Sequence, residues 1–175
     1  MYYIENNRIA LLPYTHADDP DMYTCWLDTE TQRGYNCQFR LSFEDFSNTD
    51  ISFFPFWAVV WDKAAHARIG VLRLGPDADA PDLAVWIYPP YRNRGLGTQS
   101  FQLAIDHIFA AFPYSAISAG CYEDNIRSLK MLRKLGFFRV PAEDILEENC
   151  FTGESIHQLV FQVSRDQWNQ RKRSI

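Results

Sequence analysis

The chain has 175 residues, 47% hydrophobic and 15% aromatic, which is enough apolar material for one core at an ordinary single-domain length. Its formal net charge of −5 excludes the dense positive surface on which generic nucleic-acid or acidic-membrane binding rests, and it favours a cationic or amine-bearing partner. No apolar run is long enough to cross a bilayer, and the opening MYYIENNRIA lacks the basic, apolar and small-residue order of a signal peptide, so a cytoplasmic location is expected.

Residues 8–14 (RIALLPY) read as a strand, and HADDPD after them supplies N-cap residues and early acids for a helix through Met22, Trp26 and Leu27. A short helix is expected at 42–46, with Ser42 and Asp45 in a capping arrangement. Aromatic and β-branched residues at 54–61, a polar turn at 62–66 and RIGVLRL at 68–74 form an antiparallel hairpin, closed by the loop GPDADAPD. The nearly continuous apolar stretch 82–88 (DLAVWIY) reads as a central strand stopped by Pro89 and Pro90. Residues 95–112 carry Phe101, Ile105, Ile108, Phe109 and Phe112 at three- and four-residue steps, so they form an amphipathic helix, followed by a strand at 115–121. A helix at 125–135 places Ile126, Leu129, Leu132 and Leu135 on one side, with Gly136 as its stop. Closing strands are expected at 138–140, continuing at Cys150 and Phe151, and at 156–163, and residues 164–175 as a surface tail. The order gives one α+β domain with a mixed sheet, since βαβ units do not repeat.

Cys25, Cys37, Cys121 and Cys150 show neither zinc-site nor disulfide-framework spacing, so four reduced thiols and no metal are expected. The chemistry concentrates in YRNRGLGTQSF, residues 91–101. A helix that starts at a glycine-rich turn after a buried strand exposes unpaired N–H groups, which with the helix dipole make an anion site. Gly95 and Gly97 let the backbone approach, Arg92 and Arg94 add charge, and Thr98 adds a hydroxyl. A Walker A loop requires a lysine where Thr98 stands, and a dinucleotide fingerprint requires glycine where Ser100 stands. The first reading fails and the second is weak, while the spacing itself leaves the phosphate unspecified.

The remaining pattern, [R/Q]xxGx[G/A] at residues 92–97, resembles the acyl-CoA pyrophosphate loop of the GCN5-related N-acetyltransferase (GNAT) family. Twenty-eight residues after Gly97, NIRSLKMLRKLGF is similar to that family's second signature, an asparagine opening a helix that ends in KxGF. The resemblance spans most of the chain and is strongest to the ribosomal-protein and polyamine N-acetyltransferase branch. It implies a twisted, mostly antiparallel sheet flanked by helices, with a splayed central strand pair. It implies acetyl-CoA as co-substrate, with free backbone groups of Ile87 and Tyr88 and the side chain of Asn125 on the pantetheine arm. The pyrophosphate is then expected on the amides of residues 92–98, which include Gly95, Leu96, Gly97 and Thr98, with Arg92 or Arg94 on its oxygens and Arg127 and Lys130 near the 3′-phosphate.

The implied reaction is attack of a neutral amine on a thioester, which needs a proton acceptor, donors for the oxyanion and a group to meet the departing thiolate. Many members supply a tyrosine seven residues after the asparagine, where this chain has Leu132. Ser128, one helical turn from Asn125, is the candidate donor to sulfur, and Cys121 and Tyr122 are further candidates. Asp82, at the start of the loop-bearing strand, is the candidate base, with a turn-capping aspartate as the competing reading. Glu123 is a second candidate base, Asp124 an N-cap, and His157 a structural histidine. The acceptor, a peptide or protein α-amine, a polyamine or an amino sugar, is expected between residues 26–35 and 150–155, with Glu30, Glu44, Glu123 and Asp82 supplying negative potential. A homodimer is left open. The alternative function is a non-catalytic acyl-CoA-binding or sensing module, which the missing tyrosine keeps open.

Overall fold

Strand alternation layers the first half of the chain. The computed structural model describes residues 2–76 and 79–173, so Asp77 and Ala78 of the expected loop and Ser174 and Ile175 of the expected tail lie outside the described residues. Strands β1 (Ile4–Glu5), β2 (Ile9–Pro13), β3 (Phe56–Asp62), β4 (Ala67–Leu74) and β5 (Leu83–Ile87) form an antiparallel meander in chain order. Because successive side chains of a strand point to opposite faces, Phe56, Ala58 and Val60 join one core cluster while Trp57 and Val59 join another. The sheet is therefore covered on both sides.

One side carries α4 (Leu96–Ala111), which buries Leu96, Phe101, Ala104, Ile105, Ile108 and Phe109. Each of the larger side chains among them adds roughly 1.5–3 kcal/mol of burial. The other side carries α1 (Asp19–Leu27), α2 (Thr29–Gly34) and α3 (Phe43–Ser47). Their partners include Tyr14, Trp57, Val71, Trp86 and Tyr88. The expected Ser42 cap is present, since its side chain accepts from the Asp45 amide at 3.1 Å. Helix α2, with no apolar period in TETQRG, escapes sequence reading and is started by Asp28, which accepts from the Thr31 amide at 2.9 Å.

The second sheet contains β6 (Ala116–Tyr122), β7 (Phe138–Arg139), β8 (Ile145–Glu148) and β9 (Ser155–Ser164), with β9 pairing antiparallel to the other three. Strand β5 runs parallel to β6, and one isolated bridge, Asp82 to Ser118, joins the two sheets. The Ser118 amide donates to the Pro81 carbonyl at 3.1 Å and its hydroxyl to the Ala80 carbonyl at 2.9 Å. Beyond this junction the strands part, as the resemblance implies. Helix α5 (Ile126–Lys134) follows β6 and ends at Gly136, whose φ of 82° only glycine adopts without strain.

Three expectations are corrected. Cys150 and Phe151 lie in the turn between β8 and β9, where the Thr152 and Gly153 amides donate to the Asn149 carbonyl. Ile126 is 54% exposed, since it opens its helix before the apolar side reaches the core. Residues 165–173 form helix α6, in which Trp168 is buried and donates its indole N–H to Asp106 at 2.8 Å. The Arg165 guanidinium bonds the carbonyls of Phe109, Phe112 and Tyr114 at the C-terminal end of α4, where a cation suits the dipole. No helix among the described residues is long and apolar enough to cross a membrane.

Candidate active-site cleft

The parting of β5 and β6 opens a cleft of about 830 Å³, walled by these strands, by the α1–α2 junction, by the first turns of α4 and by one side of α5. The ladder bonds between Tyr88 and Ile69 and between Gly75 and Asp82 fix the phase of the β4–β5 pairing. In an antiparallel pair the intervening residues turn their N–H and C=O groups the other way. The N–H groups of Val85 and Ile87 therefore face the cleft, while their carbonyls accept from Tyr35 and Arg92. Ile87 borders the cleft, whereas the expectation for Tyr88 is corrected: its amide is spent on Ile69 and its side chain is buried with Tyr14 and Trp57 on the α1 side.

The glycine turn opens into the same space. Asn93 and Gly95 both have left-handed backbone, with φ of 61° and 73°, and Gly95 is the N-cap of α4. The amides of the helix's first turn have no intrahelical acceptor. A Cβ added at Gly97 would stand 3.3 Å from the Ile87 side chain, so the missing side chain keeps this helix close to the strand. Arg94 is exposed, donates to the Pro90 carbonyl at 2.9 Å and lies near the Tyr91 ring.

Arg92 is placed differently from the expectation. Its Nε donates to the Ile87 carbonyl at 3.0 Å, Nη1 to Asp28 at 2.8 Å and Glu30 at 3.1 Å, and Nη2 to the Thr31 hydroxyl at 2.6 Å. A guanidinium bound on all these sides ties the end of β5 to the start of α2. It is a structural clamp in this arrangement and has not turned to the helix N-terminus. Arg127 likewise pairs with Glu30 across the mouth of the cleft.

On α5, the Asn125 side chain caps the helix by accepting from the Ser128 amide at 3.2 Å and donates to the Gly34 carbonyl at 3.4 Å. Asn125 and Ser128 both line the cleft, and so does Leu132, which is 1% exposed. Cys121 lines it too, and burial pushes its thiol up to about 11, so it stays protonated. The Tyr122 hydroxyl donates to Glu147 at 2.7 Å.

Asp82 lies in the cleft where the two sheets join, and its Oδ1 accepts from the Gly120 amide at 3.0 Å. Surrounding protein raises its pKa by desolvation, against the lowering effects of the Gly120 amide and the Arg73 charge. The residue is open to solvent within the cleft, and that contact moderates the rise. Glu123, the second candidate base, is absent from the cleft walls and is exposed beside β9. It accepts from the His157 amide at 3.0 Å, and this bond with the His157 ring holds its carboxyl below the usual range. That is the wrong direction for a base at neutral pH.

Sequence reasoning did not single out Tyr35 or Arg73. The Tyr35 ring stacks on Trp86 with centroids 5.0 Å apart, and its hydroxyl donates to the Val85 carbonyl at 2.8 Å. Burial, then the Asp82 charge, raises its pKa, so it is a neutral donor. The Arg73 guanidinium lies 4.4 Å from the Phe54 ring centroid and 5.3 Å from that of Trp86. Only the apolar character of the flanking strand residues could have drawn attention to a charge at that position.

The donor set fits a phosphopantetheine thioester: free strand amides at Val85 and Ile87, a helix N-terminus at Gly95, and Lys130 and Lys134 on the wall formed by α5. A family model described as an acetyltransferase (GNAT) domain matches residues 8–138. The fold is similar to that of spermidine N-acetyltransferase from Vibrio cholerae in complex with CoA and spermine, at 16% identity and TM-score 0.82, covering 94% of this chain and 99% of that one. It is also similar to ribosomal-protein-S5-alanine acetyltransferase from Vibrio fischeri, at 17% identity and TM-score 0.75, covering 94% and 97% of the two chains. A structure of a ribosomal L7/L12 α-N-protein acetyltransferase in complex with coenzyme A gives 14% identity and TM-score 0.77, covering 95% and 99%.

Proposed function

Because the chain belongs to the GNAT acetyltransferase family, we propose that it transfers an acetyl group from acetyl-CoA to a primary amine by direct attack in a ternary complex. The observation that carries this reading is the isolated bridge between Asp82 and Ser118, the one found between the sheets among the described residues, beyond which the strands open onto the N-terminus of α4. One cleft then holds strand amides for an extended arm, helix amides for a diphosphate and a carboxylate near the reacting end.

Asp82 takes a proton from the acceptor ammonium, the amine nitrogen bonds to the acyl carbon as the carbon–sulfur bond breaks, and the nitrogen gives its second proton to solvent. A backbone amide facing the cleft, that of Val85 or Ile87, is in place to hold the carbonyl oxygen as it gains charge. Ser128 donates a hydrogen bond toward the leaving sulfur, with solvent supplying the proton, in place of the tyrosine that Leu132 replaces. Tyr35 is a second neutral hydroxyl in the same cleft. The Cys121 thiol, kept protonated by burial, offers no thiolate for a covalent relay, in keeping with direct transfer.

The second reading is a non-catalytic acyl-CoA sensor, favoured by the apolar Leu132. Calorimetric titration with acetyl-CoA and thiol release with an amine panel separate the two. Binding with release supports the transferase, and binding without release across the panel supports the sensor. A thermal-shift comparison tests the shared premise, since ATP or NAD stabilising the protein more than CoA would overturn both.

A further inference from the structure

Charge in the cleft runs opposite to charge in the chain. The whole protein carries a net −5, whereas the cleft is lined by the acids Glu30 and Asp82 and by the bases Arg73, Arg92, Arg127, Lys130 and Lys134. Of the acids expected to attract a cationic acceptor, Glu44 sits exposed on α3 and Glu123 beside β9, both off the cleft walls. Glu30 is already held between Arg92 and Arg127, and Asp28 by Arg92. Among the described residues that line the cleft, a polyamine would find Asp82 as the one unpaired acid.

Arg73 has the complementary deficiency. It stands on the α1–α2 side of β4, opposite Ala84 of β5, and so is the diagonal neighbour of Asp82 on the same face. Its guanidinium is packed against the rings of Phe54, Trp57 and Trp86, and among the described residues it makes no ion pair. Ring faces offset only part of the cost of holding a cation away from water. The indole N–H groups of Trp57 and Trp86 are also buried without a partner among the described residues, so this layer is rich in donors and poor in acceptors.

We propose that the acceptor is an amine carrying a carboxylate a few bonds from its nitrogen, an amino acid and not a polyamine, with Arg73 receiving the carboxylate and Asp82 the ammonium. This rests on the acetyltransferase reading above. Guanidinium and carboxylate match in bidentate geometry, and the rings of Trp26, Tyr35 and Trp86 offer a surface for an apolar side chain.

Three probes decide it, assayed by thiol release from acetyl-CoA: phenylalanine, phenethylamine, which lacks only the carboxylate, and spermidine. Phenylalanine is expected to exceed phenethylamine in kcat/KM by about a hundredfold, the scale of one desolvated charge pair. Arg73→Met should bring that ratio near one, and Arg73→Lys should retain part of it. A wild-type ratio near one, a preference for spermidine, or an unchanged ratio in Arg73→Met overturns the proposal. Calorimetric binding of acetyl-CoA and the thermal midpoint show whether the variants are folded, and the wild-type ratio decides if they are not. Release with every amine but no carboxylate preference removes this proposal alone, whereas no release with any amine removes the transferase reading with it.

Discussion

The Asp82 carboxylate is raised in pKa by surrounding protein and restrained by the Gly120 amide and the Arg73 charge. As a base it works only when ionised, so turnover at saturating substrates should rise with pH through a value above the ordinary aspartate range near 3.9. Asp82→Asn should lower turnover by about 10²–10⁴-fold while calorimetry shows acetyl-CoA affinity retained. An unchanged rate, or an unaltered acid limb of the pH profile, would remove Asp82 from this role. The turn at Gly95 is legible in the sequence because its requirement is local: a glycine with positive φ and a helix start. The destination of the Arg92 side chain is not, because Asp28 and Thr31, which bind it, are more than sixty residues away in the chain.

Among elements, the seating of α2 on β5 sets the width of the cleft. Arg92 holds it through Ile87, Asp28 and Thr31, and Tyr35 adds a bond to Val85. Arg92→Met should therefore cost about 1–3 kcal/mol in urea unfolding, the scale of hydrogen bonds to charged groups. The neighbouring Arg94→Met should stay within about 0.5 kcal/mol, as ordinary surface substitutions do. Equal losses would deny the clamp. Helices with an apolar period, such as α4, are readable from the order of their residues. By contrast α2, α6 and β8 are short and mostly polar, and they form because partners elsewhere hold them: Arg92 for α2, Asp106 and the end of α4 for α6, and β9 for β8.

For the whole molecule, α6 closes the core at the end of α4 remote from the glycine turn. Trp168→Ala should destabilise by about 3–5 kcal/mol, measured by urea unfolding, with acetyl-CoA binding intact in the folded fraction. Acid stability depends on carboxylates shifted in opposite directions. Asp62 is held low, first by its hydrogen bond from Arg8. Its stabilisation is complete above the unfolded value near 3.9 and lost as pH falls through the lower folded value. Asp82 is held high, so its penalty is present above its folded pKa and relieved as pH falls toward the unfolded value. Urea midpoints across pH 3–7 should show Asp62→Asn losing stability at neutral pH with a flatter acid slope. Asp82→Asn should gain most, relative to the wild type, at the neutral end. The reverse pattern would contradict the shifts.

The ladder partners of β6 bear on how the cleft comes into being during synthesis. The first sheet pairs each strand with its neighbour in the chain, so it can assemble as the ribosome delivers residues up to 87. Among the described residues, strand β6 has its ladder only with β9, and must wait for residue 164 to emerge. Until then the edge of β5 that faces the cleft has no strand across from it; after β6 docks, its Val85 and Ile87 amides stay unladdered but lie within the cleft. The last strand made thus completes the wall of the cleft and shields that edge from other chains during synthesis.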